Sequence, residues 1–174
     1  MSPLCICGGK GMSELGFEGK SRAFVVAAFI ALADWGSKYL IHSHFVYGAS
    51  KPVLAQYFNL VHVRNFGSAF GLMNQGRPTA LNTWFFAVAS VLGLFLLLYL
   101  VYHEYSAHKF AIVCLGLLMG GVLGNQGERF LHGYVTDFLD IYVNTQHWPA
   151  FNVADSAITI GIIGYFLTSL RRRS

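Results

Sequence analysis

Four apolar runs, separated by polar and turn-forming segments, divide this chain at residues 23–41, 83–102, 110–127 and 154–170. Each is close to the roughly 20 residues that an α-helix needs to cross the hydrocarbon core of a bilayer, so the pattern predicts four transmembrane helices. The segment between the first two runs is different in kind. Residues 52–62 (Pro-Val-Leu-Ala-Gln-Tyr-Phe-Asn-Leu-Val-His) are rich in β-formers, and Asn65-Phe66-Gly67 supplies a turn signal. The expected fold is therefore a membrane protein, mainly α, with four transmembrane helices and a small outward-facing β-rich platform. Residues 1–22, rich in Gly, Ser and Lys, read as a disordered lead-in to a single four-helix domain over 23–174.

Composition agrees with a bilayer environment. Of 174 residues, 55% are hydrophobic and only 11% charged, against about 25% charged in a soluble domain. The 15 Phe and 9 Tyr suit lipid-facing and interfacial positions. A formal net charge of +4 points to nucleic acid only where the basic residues form a stripe. Here they flank the apolar runs, which excludes a nucleic-acid partner and instead reports topology. Lys10, Lys20 and Arg22 precede the first run, and Arg171, Arg172 and Arg173 end the fourth. With four crossings both clusters share one side, so both termini are expected in the cytoplasm, with residues 42–82 and 128–153 facing outward. The first run is too long for the apolar core of a signal peptide and lacks a clean small-residue cleavage site, so it reads as a retained span. Cys5, Cys7 and Cys114 form neither a zinc-ligand spacing nor a disulfide framework.

The last third of the chain holds the candidate chemistry. Asp137 lies in His132-Gly133-Tyr134-Val135-Thr136-Asp137-Phe138 and Asp155 in Phe151-Asn152-Val153-Ala154-Asp155-Ser156-Ala157. A carboxylate at the edge of a bilayer is costly and marks a functional site by default. Two of them flanking one short loop suggest a water-activating acid/base pair. Asn152, Asp155, Ser156 and Thr159 recur at i, i+3, i+4 and i+7, on one helical face. Helix capping by Asn152 and Asp155 is the competing account, and the two readings are compatible.

Other polar residues in apolar surroundings have two readings each. Asp34 and Lys38 are an i, i+4 pair that either packs helices as an ion pair or contacts substrate. Asn125 and Arg129 meet on one face if the third helix persists past Gly127, and Arg129 then holds loop carbonyls, pairs with Asp34 or Glu128, or takes part in chemistry. Gly116, Gly120 and Gly124, with Gly121 beside them, form a small-xxx-small seam for close helix approach. Asp140 reads as solvated or as a strand cap. No HExxH pair, GxSxG elbow or phosphate-cradling Gly-rich loop with Lys is present, which leaves the aspartates as the chemistry.

Five blocks together resemble lipoprotein signal peptidase, also called signal peptidase II. They are Asp34-Trp35-Gly36-Ser37-Lys38, Asn65-Phe66-Gly67-Ser68-Ala69-Phe70, Gly120-Gly121-Val122-Leu123-Gly124-Asn125 with Arg129, Gly133-Tyr134-Val135-Thr136-Asp137-Phe138, and Pro149-Ala150-Phe151-Asn152-Val153-Ala154-Asp155-Ser156-Ala157-Ile158. They occur in family order from Asp34 to the C-terminus. The resemblance implies an endopeptidase of the bacterial cytoplasmic (inner) membrane, with its active site at the outer face. Its substrates would be diacylglyceryl-modified prolipoproteins, cut just before the lipidated Cys. By motif match Asp137 and Asp155 take the catalytic positions. Asp34, Lys38, Asn65, Gly67, Asn125, Arg129, Asn152 and Ala154 take substrate-binding or supporting ones. The resemblance further implies no metal or organic cofactor, contact with membrane lipid, and inhibition by globomycin-type cyclic peptides. Glu128 departs from the Asp usual before the Arg, and Gln126-Gly127 is more polar and flexible than the usual pair.

The expected mechanism has Asp155 as base and Asp137 as acid, sharing one proton, beneath a flap containing residues 65–70. Two other classes fit parts of the pattern. A small ion-coupled transporter would use Asp34, Glu128 and Asp155 as ion or proton sites, although no inverted repeat is visible. An inactive lipopeptide-binding relative would bind without cutting, with Glu128 as its only sequence support.

Overall fold

The computed structural model describes residues 12–67, 80–103 and 109–171. Ser68, Ala69 and Phe70 of the expected flap and residues 1–11 of the lead-in lie outside the described residues. The helices are α1 (Met12–His44), α2 (Ala80–His103), α3 (Lys109–His132) and α4 (Val153–Arg171). Each contains a stretch long and apolar enough to cross a membrane: Lys20–His44, Trp84–His103, Lys109–His132 and Val153–Arg171.

Two helix ends differ from expectation. α1 starts at Met12, so residues 12–22 are helical where the sequence suggests disorder. Glu14, Leu15, Glu18 and Lys20 are good helix formers, and extending an existing helix costs far less than nucleating one. α3 runs on past Gly127 to His132. Gly127 is a contact point and not a terminator: a Cβ there would fall 2.5 Å from Trp35 Cζ2, and Trp35 Nε1 donates to Gly124 O at 3.0 Å. The helix ends at Gly133, whose φ of 76° suits a residue without Cβ and whose N–H donates to Arg129 O at 2.8 Å.

α3 is the hub. A Cβ on Gly116 would lie 2.6 Å from Ala23 O, and one on Gly120 would lie 2.7 Å from Ala27 O. The α1 backbone thus sits directly on this seam. On another face, a Cβ on Gly121 would meet Ala154 O of α4 at 2.6 Å. α2 closes the third side, where Leu97 and Val101 join Ile112, Leu115 and Met119 in one buried cluster with Ala23 and Ala27. Phe29, Leu32, Phe95, Leu96, Ile163 and Phe166 remain exposed on the outside of the bundle, as expected of surface that lipid covers.

The ends of α1 and α3 and the start of α4 lead to and from a four-stranded antiparallel sheet in the order β1 (Ser50–Leu54), β2 (Phe58–Asn65), β3 (Val135–Val143), β4 (Gln146–His147). The expected platform is the β1–β2 hairpin. β3 and β4, drawn from the second outward segment, double it. β2 and β3 pair in one register from Phe58↔Ile141 to Leu60↔Leu139 and in a register shifted by one from Val63↔Asp137 to Asn65↔Val135. Phe138 and Leu139 N–H both donate to Phe151 O (3.0 and 2.8 Å), and Phe151 N–H returns to Leu139 O at 3.0 Å. The residue just before Asn152 is thereby fixed against β3.

Asp140 corrects the solvated reading. It sits opposite Asn59 in the ladder and is buried, with Asn59 Nδ2 donating at 2.8 Å and His147 Nδ1 at 2.9 Å. Strand pairing, invisible in a one-dimensional reading of that loop, brings those partners to it.

Candidate active site

The start of α4 is organised by a reciprocal cap. Asn152 Oδ1 accepts the Asp155 N–H at 2.9 Å, and Asp155 Oδ2 accepts the Asn152 N–H at 3.3 Å. These bonds satisfy two backbone donors that a helix start leaves free. The cap uses only part of each side chain, so capping and a functional role coexist. Ser156 and Thr159 differ from expectation. Their hydroxyls donate back along the helix to Asn152 O and Asp155 O, at 2.9 Å each. The four-residue polar face therefore contributes two residues to the site, because a hydroxyl on a helix finds its own i−4 carbonyl at hand.

Asp137 reaches the same place from β3. Its Oδ1 accepts Asn152 Nδ2 at 2.8 Å and its Oδ2 accepts Asn65 Nδ2 at 3.1 Å. Only 3% of Asp137 is exposed. Burial first, and the neighbouring Asp155 charge second, push its carboxyl up to about 7, against donors from Asn65 and Asn152 that hold it down. Asn65 is positioned by the last rung of the β2–β3 ladder and by its own Oδ1, which accepts the Gly67 N–H at 3.0 Å.

Asn125 of α3 joins the second carboxylate to the bundle. Its Nδ2 donates to Asp155 Oδ1 at 2.8 Å, while its Oδ1 accepts Asn152 Nδ2 at 3.1 Å and Lys38 Nζ at 2.9 Å. Lys38 also meets Asp34 Oδ2 at 2.7 Å and Glu128 Oε2 at 3.1 Å, so three acceptors match its three protons. Asp34 Oδ1 accepts the Ala154 N–H at 2.9 Å, which caps α4 from α1. Of the two readings open for Asp34 and Lys38, the ion pair is the one whose partners are in place. Ala154 matters for being small: it is fully buried, and a Cβ on Gly124 would lie 3.2 Å from its own.

Arg129 turns to the loop after β2, within electrostatic reach of both Asp137 and Asp155. Its Nη2 donates to Gly67 O at 2.7 Å, and its guanidinium lies 4.3 Å from the centre of the Phe86 ring. It is thus a holder of a loop carbonyl. With both its N–H and C=O engaged, Gly67 pins the turn that follows β2. The ten residues matched to the family's motifs are all drawn into this one hydrogen-bonded assembly or its immediate frame.

Three further residues belong to it that sequence reasoning did not place. Glu128, expected near Arg129, turns instead to β3, where Oε2 accepts the Thr136 N–H at 2.9 Å and Oε1 accepts the Thr136 hydroxyl at 2.5 Å. Since that hydroxyl donates to Glu128, its oxygen accepts from His42 Nε2 at 2.9 Å. Thr136 adjoins Asp137 in a strand and so faces the other way, a signal available only once β3 is known to be a strand. Among the described residues no group of three or more His, Cys, Asp or Glu is arranged to hold a metal ion.

The signal peptidase (SPase) II family profile matches residues 26–171 of this chain. The lipoprotein signal peptidase of Francisella tularensis subsp. novicida (strain U112) is 35% identical over 151 residues, covering 87% of this chain and 92% of that protein. That of Desulforapulum autotrophicum is 39% identical over 142 residues, covering 82% and 87%. A bacterial membrane enzyme structure obtained by the in meso method superposes with a TM-score of 0.77 at 32% identity, covering 87% of this chain and 89% of that one. A second gives 0.71 at 29% identity, with coverage of 85% and 92%. The chain is therefore a multi-pass membrane protein belonging to the signal peptidase II family.

Proposed function

We propose that this protein is an aspartyl endopeptidase that removes the signal peptide from diacylglyceryl-modified bacterial prolipoproteins, cutting just before the lipidated Cys. Asp137 and Asp155 are its catalytic pair. The observation that carries this reading is their shared tether: Asn152 donates its side-chain amide to Asp137 and its backbone N–H to Asp155. A strand carboxylate and a helix carboxylate thus converge on one residue. The names of the relatives support the substrate class.

The chemistry follows from unequal protonation. With a carboxyl pushed up to about 7, Asp137 carries a proton for much of the time at neutral pH; Asp155, which accepts from Asn125 Nδ2 and the Asn152 N–H, serves as the base. Asp155 takes a proton from water, whose oxygen bonds to the scissile carbonyl carbon. The Asp137 proton is hydrogen-bonded to the carbonyl oxygen. When the C–N bond breaks, Asp137 gives its proton to the leaving amine, and the proton that Asp155 gained restores the one the pair shares. No metal or organic cofactor enters. Asp34, Lys38, Asn65, Gly67, Asn125, Arg129, Asn152 and Ala154 hold the pair and the turn that follows β2.

One domain over residues 23–174 carries the function, in the inner membrane with both termini cytoplasmic and the pair at the outer face. There the acyl chains stay in lipid while the peptide bond meets water. Globomycin-type cyclic peptides are expected to compete with substrate. The test is signal-peptide release from a diacylglyceryl-modified prolipoprotein, followed by gel shift with protein purified in detergent. Cleavage by the wild type that is lost in both Asp137→Asn and Asp155→Asn is expected. Cleavage that survives in either variant would refute the pair.

A further inference from the structure

We infer that Glu128 is a positioning residue for Asp137, acting through Thr136 to pin the strand register at the site. The inference rests on the reading of Asp137 as catalytic. It starts from an irregularity in the sheet. The β2–β3 pairing slips by one residue between Leu60 and Val63, and the new register begins at Val63↔Asp137. In a strand, a one-residue slip turns every side chain to the opposite face. Had the register of residues 58–60 continued, the ladder would set Asp137 against a different β2 residue and away from Asn65, its hydrogen-bond partner. Something outside the ladder has to choose.

Glu128 is placed to do so. Both of its oxygens end on Thr136, one on the backbone N–H and one on the hydroxyl, so it holds a fully buried residue by two bonds at once. Thr136 has side chain and carbonyl committed in different directions: its hydroxyl to Glu128 and its C=O to Asn152 Nδ2 at 3.3 Å. With Thr136 fixed, Asp137 falls on the opposite face, between Asn152 and Asn65. Lys38 then links this grip to the other carboxylate, since it meets Glu128 and Asn125, and Asn125 donates to Asp155. His42, 3.5 Å from Glu128 Oε1, closes the far side against Thr136. The position where this chain departs from the family's usual residue is thus tied to both members of the pair.

The test compares Glu128→Gln, Thr136→Val and Thr136→Ser with the wild type, and runs Asp137→Asn beside them. Glu128→Gln keeps the shape but replaces one acceptor oxygen with a donor, leaving a Thr136 donor unpaired. Its kcat is expected to fall on the order of 10–100-fold, as when a group aimed at the reaction is slightly misplaced, with KM within about twofold. Asn65 and Asn152 hold the Asp137 carboxyl down, so a displaced Asp137 moves the alkaline limb of kcat/KM upward. Thr136→Val is the second probe should Glu128→Gln fail to fold: it keeps the backbone bond and shows the same signs at smaller size. Thr136→Ser restores the hydroxyl and recovers most of what Thr136→Val loses. Wild-type kcat and an unmoved alkaline limb in folded Glu128→Gln or Thr136→Val overturn the inference, as does Thr136→Ser behaving like Thr136→Val. If Asp137→Asn cleaves normally, the catalytic reading fails first and takes the inference with it.

Discussion

Asp155 and Asp137 differ in how much of their support is local. Asp155 sits in the first turn of α4, and its cap with Asn152 closes over three residues of chain. Asp137 sits in a sheet, and its partner Asn65 is 72 residues away. One has its backbone set by the local geometry of a helix start, and its other carboxylate oxygen takes a longer-range donor from Asn125 of α3. The other exists only when β2, β3 and α3 have all assembled in the right register. Precision at Asp137 is therefore a property of the whole fold, and small disturbances far along the chain should reach it first.

Substitutions can break that contrast, starting where the two supports meet. Asn152→Ala removes the donor to Asp137 and half of the Asp155 cap together. A loss in kcat on the order of 100–1,000-fold is expected from steady-state cleavage, and a loss under about tenfold would mean the tether is incidental. Asn65→Ala touches only the Asp137 side, and it also frees the Gly67 turn. Its kcat should fall roughly 10–100-fold, with the alkaline limb of kcat/KM moved upward because a donor to that carboxylate is lost. An unchanged limb would separate Asn65 from Asp137. Gly120→Ala attacks the bundle instead, since its Cβ would meet Ala27 O at 2.7 Å. Thermal unfolding in detergent should show a cost of about 1–3 kcal/mol, with kcat of the folded fraction retained.

A further prediction concerns stability against pH. In the folded protein the Asp137 carboxyl is raised to about 7 from 3.8, so between these values the folded state holds a proton that the unfolded chain releases. Stability from this group is present at low pH and falls as pH rises through the folded value. Asp137→Asn, with no proton to lose, should lose less stability than the wild type when thermal unfolding is followed from about pH 5 to about pH 8. Parallel losses in the two proteins would show that Asp137 is not raised.

The same contrast explains what could be read in advance. Four helices, the glycine seam and the aspartate pair announce themselves because each is a departure from its surroundings: long apolar runs, small residues at fourfold spacing, charges beside lipid. Asn125, Arg129 and Asn152 follow from helical spacing. β3 is harder, because Val135–Val143 mixes inward Thr136 and outward Ile141 around a register shift that no residue type signals. The grip of Glu128 on Thr136 spans the end of α3 and the Gly133 turn, so no fixed spacing points to it. Ser156 and Thr159 mislead for the reverse reason. They lie on the correct face, yet their hydroxyls are spent on their own helix.

The central claim is that Asp137 works protonated beside Asp155, and the pH dependence of wild-type kcat/KM tests it most directly, because it reports the free enzyme. Measured from about pH 5 to about pH 9 with a diacylglyceryl-modified prolipoprotein, it should fall on the alkaline side with a midpoint near 7, where the Asp137 carboxyl gives up its proton. A profile that stays level through that range would mean that no such proton is used, and the pair would not be working as described.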